Sequence, residues 1–319
     1  MEHPLNDSLR RRWLRGALCM AAALPMLPLH AQTKRKLTIG VTAVSDFGLA
    51  FVAQERKLFD KQGLEATLQR ITLTSNIPAG LVSNSIQIGG ITPPVFLQAI
   101  DSGIDLVGIA CGATYVSAKK TIGVVAKAGG PVAVAQDLIG RKFGVPGLNG
   151  NLHLLVRRWL RRSGVDDKRV SFIEVALPNL PQVLAGGSVD AIVHVEPFIA
   201  RMLQSGGSQL VAGFSEGLPD GWATVVYAAT REWAMANLPA VTGFRAALAD
   251  ALQATRDDEA GARADIGKHL NLPEPVQRAM PMANFDVALN QAQLRFWSDT
   301  MGEQGMLKKQ PSLGSVILA

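Results

Sequence analysis

The sequence predicts an α/β protein of two similar lobes, and three observations predict it. The chain is 319 residues long, more than one hydrophobic core usually serves. Its 18% charged and 48% apolar residues are those of a globular protein rather than a disordered one. One pattern is also written twice. The first copy runs from Leu37 to Val41, through a helical stretch to Lys61-Gln62-Gly63-Leu64, and ends at Leu81 to Pro94. The second runs from Lys142 to Pro146, through a helical stretch to Arg162-Ser163-Gly164-Val165, and ends at Leu184 to Pro197. Each copy reads strand, loop, helix, Gly turn, strand, helix, Gly turn, strand, with a Pro beyond the last strand. Two such lobes offer a cleft as the ligand site.

The elements follow in order. Residues 1–31 read as a signal peptide: Arg10-Arg11-Arg12 and Arg15 form a basic region, Gly16 to Leu29 an apolar run, and Ala31 stands before Gln32 at a cleavage junction. The run is about 14 residues with two prolines, short of the roughly 20 needed to span a bilayer. Both the Sec and the twin-arginine route fit, and both lead to the periplasm. Without this segment the formal charge falls from +6 to +4, by loss of four Arg, Glu2 and Asp7. Only Cys111 then remains, so no internal disulfide forms, and a buried thiol is the reading preferred over a nucleophile.

Lobe 1 is expected to begin over residues 32–120, with strands at 37–41, 66–71, 86–91 and 105–110 and helices after Ser45 and over 95–100. Ser45 or Asp46 suits the N-cap of the first helix. Lobe 2 occupies 121–228, with the extended run 121–126 read as the first crossover into it and strands at 142–146, 170–175, 191–195 and 209–212. Residues 222–229 carry the chain back, and 229–319 complete lobe 1 with helices over 239–255, 257–270 and 291–302. Strands separated by helices predict parallel sheets, and the two crossovers a hinge.

Gln54 to Leu64, Asp137 to Pro146, Val183 to Ala191 and Glu196-Pro197-Phe198 together resemble the substrate-binding proteins of ABC importers for sulfonates, taurine and nitrate, and the related thiamine-pyrimidine synthase-like (NMT1/THI5-like) group. The resemblance implies a type II periplasmic binding fold, an ABC permease and ATPase as partners, no catalysis and no cofactor. The family's Gly-Glu-Ile-Asp is replaced here by Asn84-Ser85-Ile86-Gln87, and the second lobe keeps Gly187 and Asp190 of that pattern.

Ligands of parallel α/β sheets collect at the carboxyl ends of strands, beside helix N-termini. That rule selects the loops Val44 to Gly48, Thr92 to Pro94, Gly147 to Asn151, and Glu196 to Phe198. Gly147 to Asn151 is the anion cradle candidate, with Asn149, Gly150 and Asn151 in it and Thr92 opposite; Asn149 or Asn151 capping the following helix is the equal alternative. Asp46 and Glu196 instead suit a cationic or amine-bearing ligand, although Asp46 also reads as an N-cap. Phe47 and Trp222 are candidate stacking surfaces, each with packing as its alternative. Ser45 completes the set. The solute is therefore expected to be a sulfonate-like anion or a heteroaromatic. The scattered histidines give no metal-ligand spacing. Arg157-Arg158 and Arg161-Arg162 flank Trp159-Leu160 as a solvated face around a buried stripe, so no nucleic acid is expected. The protein is expected to be a monomer. The alternative function is an enzyme of the synthase-like branch, which the export signal and single mature cysteine disfavour.

Overall fold

A computed structural model describes residues 34–119, 122–196, 198–214 and 218–318. The expected signal peptide lies outside them, as does Pro197 of the Glu196 motif. Two mixed sheets form. The first contains β1 (Arg35–Val41), β2 (Leu64–Arg70), β3 (Ile88–Ile91), β4 (Leu106–Thr114), β10 (Ala223–Thr230) and β11 (Asn284–Phe285), in the order β11-β4-β10-β3-β1-β2. The second contains β5 (Ile122–Lys127), β6 (Lys142–Val145), β7 (Ser171–Glu174), β8 (Ala191–Val195) and β9 (Ser208–Gly213), in the order β7-β6-β8-β5-β9. Set side by side, β2-β1-β3-β10-β4 and β7-β6-β8-β5-β9 are the same arrangement, which is the duplication seen in the sequence.

The sheets are not purely parallel, as expected, but mixed. Within each, the three strands of the repeat pair in parallel, and one strand from outside the repeat lies antiparallel beside them. That strand is β10 in the first sheet and β5 in the second. The runs taken as crossovers, 121–126 and 222–229, are thus interior strands rather than linkers. Each runs antiparallel because the chain enters that sheet directly from the other one. The return to the first sheet precedes β10, so residues 223–228, assigned to lobe 2, belong to the first sheet.

The two copies match in their turns. Gly63 and Gly164 each close the helical stretch with left-handed φ, +70° and +77°, a conformation that glycine adopts without steric cost. Gly187 adopts φ +76° before β8, and in the other copy Asn84 adopts φ +57° before β3. Asn is the residue that best substitutes for glycine there. Asp190 Oδ2 accepts the Lys142 amide at 2.9 Å, and Gln87 Oε1 accepts the Thr38 amide at 2.8 Å. The departure from the family pattern therefore keeps both jobs of the turn, with a neutral amide in place of the carboxylate.

The helix Gly48–Glu55 buries Gly48 to Ala53 between the first sheet and the long helix Leu238–Asp257. The C-terminal helix Gln291–Glu303 packs on Pro93–Asp101 of lobe 1 and on Asn151–Arg162 of lobe 2. Trp297 anchors it, fully buried, with its indole N–H donating to the Ala223 carbonyl at 2.8 Å. The basic run is less solvated than expected. Arg157 and Arg161 both pair with the buried carboxylate of Asp167, and Arg158 lies 5.5 Å above the Phe296 ring.

Candidate functional site

The four strand-end loops meet at one cavity of about 180 Å³. β1 delivers Thr42 and Val44 to Phe47, β3 delivers Thr92, β6 delivers Pro146, Gly147 and Gly150 to Leu152, and β8 delivers Val195 and Glu196. Of the nine residues picked from the sequence, Ser45, Asp46, Phe47, Thr92, Gly150, Asn151, Glu196 and Trp222 line it, and Asn149 does not. Asn149 has φ +62°, and its amide donates to His153 Nδ1 at 2.8 Å, so it turns the loop instead of facing the cavity.

Two capping alternatives fail. The helix Asn151–Arg162 has Gly150 as its N-cap with no side-chain cap bond, and Asn151 Nδ2 donates instead to the Thr224 carbonyl at 2.8 Å. Asp46 lies inside a short 3-10 turn, Ser45–Phe47, and caps neither that turn nor the helix after it. Asp46 lines the cavity, with the side chains of Thr224 and Ser45 hydrogen-bonded to its carboxyl. Burial pushes Asp46 above the ordinary carboxylate range, and nearby Thr224, Lys119 and Ser45 only partly offset this. Glu196 Oε2 accepts the Ala200 amide at 3.1 Å, which braces the helix Phe198–Gln204 at the cavity wall.

The stacking candidates are packed. Trp222 is 2% exposed and sandwiched between Tyr115, 4.4 Å and 8° away, and Phe296, 5.2 Å and 17° away, so it offers the cavity an edge rather than a face. Phe47 is also 2% exposed, and its ring lies so close over Gly90 that a Cβ there would fall 2.1 Å from it.

Three amides of the loop expected to cradle an anion are already committed. Leu148 N donates to Glu174 Oε1 at 3.0 Å, Asn149 N to His153, and Gly150 N to the Gly147 carbonyl at 3.2 Å. Across the cleft, Thr92 begins a helix whose first two residues, Pro93 and Pro94, carry no N–H at all.

Sequence reasoning missed a ring of hydroxyls, Thr42, Thr72, Thr74, Thr114 and Thr224, together with Tyr115, Lys119 and the segment Pro281 to Asn284. Thr72, Thr74 and Thr114 stand just after or at the end of β2 and β4, so the strand-end rule applied to every strand would have found them. Nothing in the pattern marks 281–284. Among the described residues that line this cavity, four buried side-chain atoms have no protein partner: Thr42 Oγ1, Thr92 Oγ1, Asn151 Oδ1 and Trp222 Nε1. Native structures rarely leave such groups unpaired without a bound water or ligand to satisfy them.

Cleft contacts join the two lobes directly. Ser75 Oγ donates to Glu174 Oε1 at 3.0 Å, and Asn151 bonds Thr224 as above. Cys111 lies beneath, fully buried, with its thiol pushed up to about 12, chiefly by burial.

Comparison with known proteins agrees with this geometry. A family model described as the NMT1-like family matches residues 30–271. A search of curated protein sequences finds no match. Among solved structures, the alkanesulfonate-binding protein SsuA of Xanthomonas axonopodis pv. citri, bound to MOPS, is similar at 21% identity and TM-score 0.73, over 89% of this chain and 98% of that one. The periplasmic aliphatic sulphonate binding protein SsuA of Escherichia coli is similar at 20% identity and TM-score 0.69, over 89% and 97%. The periplasmic nitrate-binding protein NrtA of Synechocystis PCC 6803 is similar at 13% and 0.74, over 89% and 86%. These likenesses establish the fold as that of the periplasmic binding proteins, in agreement with the sequence expectation.

Proposed function

We propose, for a chain that belongs to the NMT1-like family, that it is an extracytoplasmic receptor which captures a small organic solute between its lobes and delivers it to an ABC permease and ATPase. The observation that carries this reading is the interlobe cavity, built from strand-end loops of both sheets and lined by polar atoms that the protein itself leaves unsatisfied. The cleft bonds Ser75–Glu174 and Asn151–Thr224 are contacts that a closing hinge would make around a solute. Names among the structural neighbours support the class, since three are binding proteins for sulfonates or nitrate. The basic and apolar segment before Gln32 supports export, with a mature periplasmic monomer beginning near that residue. The synthase-like alternative gains little from Cys111, whose buried, protonated thiol is a poor nucleophile.

A thermal-shift screen of small solutes tests the reading. A ligand that binds only the folded state adds about 2.7 kcal/mol at a hundredfold excess over Kd. Small-angle scattering of the same sample should show a smaller radius of gyration. If no solute moves the melting midpoint, the receptor reading falls.

A further inference from the structure

Resting on the receptor reading, we propose that the solute is a hydrogen-bond donor carrying a protonated amine or amidine-type group, held between the Asp46 carboxylate of one lobe and the Asn151 Oδ1 of the other, and that it is not an oxoanion.

Three observations lead there. The first is the charge count. Among the described residues, the charged side chains lining the cavity are Asp46, Glu196 and Lys119, with no arginine. Lys119 already gives its ammonium to the Met282 carbonyl at 2.6 Å. These three side chains together carry a net charge of −1 when all are ionised, which a singly charged cation neutralises and an anion doubles.

The second is the supply of donors. The strongest oxoanion contacts come from N–H groups and guanidinium. In the loop Gly147 to Asn151, the amides of 148, 149 and 150 are committed to Glu174, His153 and Gly147, and the opposite helix starts with two prolines. The third is the surplus of acceptors. Asn151 is 9% exposed, and its Nδ2 bond to the Thr224 carbonyl fixes the amide so that Oδ1 is the atom left unpartnered. Asp46 adds a carboxyl whose charge the protein does not fully compensate, and a cation would supply the missing counter-charge. The hydroxyls of Thr42 and Thr92 are unpartnered too and can accept as well as donate. Among the described residues, Trp222 Nε1 is the one buried side-chain N–H of the lining without a partner, enough for a single acceptor on the solute.

The test uses the full-length folded protein and probes matched in skeleton: benzamidine and benzylamine as cations, benzamide as the neutral member, and benzoate and benzenesulfonate as anions, extended to a library arranged in the same triplets. The expected result is that cationic members raise the melting midpoint and their anionic partners do not. Asp46→Asn should weaken the cation by at least about tenfold in calorimetry, with the free protein melting no lower than wild type because a buried charge is removed. Lys119→Gln should tighten it, since a like charge leaves the lining, whereas an oxoanion would bind Lys119→Gln more weakly. Stabilisation by anions alone, or by neutral members alone, overturns the proposal and leaves the receptor reading standing. Cation binding that Asp46→Asn does not weaken overturns the assigned site. If no member of any class binds, the receptor reading itself is lost, and this inference with it.

Discussion

Two buried histidines hold the lobe 2 half of the cavity in place, and lowering the pH should release them. His153 Nδ1 accepts the Asn149 amide and so fixes the loop from Gly147 to Asn151. His194 Nδ1 accepts the Val195 amide at 2.9 Å and its Nε2 pairs with the Leu177 carbonyl at 3.2 Å, just before Glu196. Burial depresses both imidazoles to about 4. The unfolded chain protonates near 6.5, so the stability they contribute is complete above pH 6.5 and lost as pH falls toward 4. At pH 5 the unfolded imidazoles are almost wholly charged and the folded ones about one-tenth charged, a loss of about 2 kcal/mol for each histidine. Asp46 works in the opposite direction, because its raised pKa makes acid favourable to the folded state. The histidine contribution is therefore read as a difference. Urea unfolding of wild type, His153→Asn and His194→Gln at pH 8 and pH 5 should show each variant losing about 2 kcal/mol less than wild type across that interval. Parallel losses in all three proteins would refute the assignment of neutral, buried imidazoles at the base of the site.

Gly147→Val should wedge the cleft, because even a Cβ at this position would lie 3.1 Å from Thr74 Oγ1 on the opposite lobe. Solute affinity should drop by about tenfold or more while the free protein melts nearly as wild type, and an undiminished affinity would mean that the bound state does not bring these surfaces together. Ser75→Ala removes the 3.0 Å bond to Glu174 and should weaken solute binding by about 1 kcal/mol; calorimetry showing no change would place that bond equally in the open and closed forms. Iodoacetamide should label the Cys111 peptide, identified by mass spectrometry, only in denaturant, since the thiol is fully buried and held protonated. Labelling of the native protein at neutral pH would contradict that burial.

Element positions were legible because the inner strands of the repeat, such as β1, β3 and β8, are short apolar runs, and the strand-end rule located the cavity from the strands so placed. Strand direction was not, since an interior strand such as β4, buried along its whole length, reads the same whichever way it points. Only the chain's passage between sheets makes β5 and β10 antiparallel, and that passage leaves no mark on their residues. Side-chain roles at the site were hidden for a related reason. Asn149 and Asn151 both look like capping residues, but whether an Asn caps, turns the backbone or faces a cavity depends on its φ and on what lies across the cleft. Asn149 takes the left-handed turn, and Asn151 reaches Thr224 of the other sheet. The glycine-rich loop suggested an anion because its N–H groups can be counted in the sequence, while the acceptors that occupy them cannot. Glu174 comes from β7 and His153 from the following helix, and both reach those amides only in the folded lobe. Three amides of the loop that seemed to offer donors are committed, and Asp46, which read as a cap, instead lines the cavity.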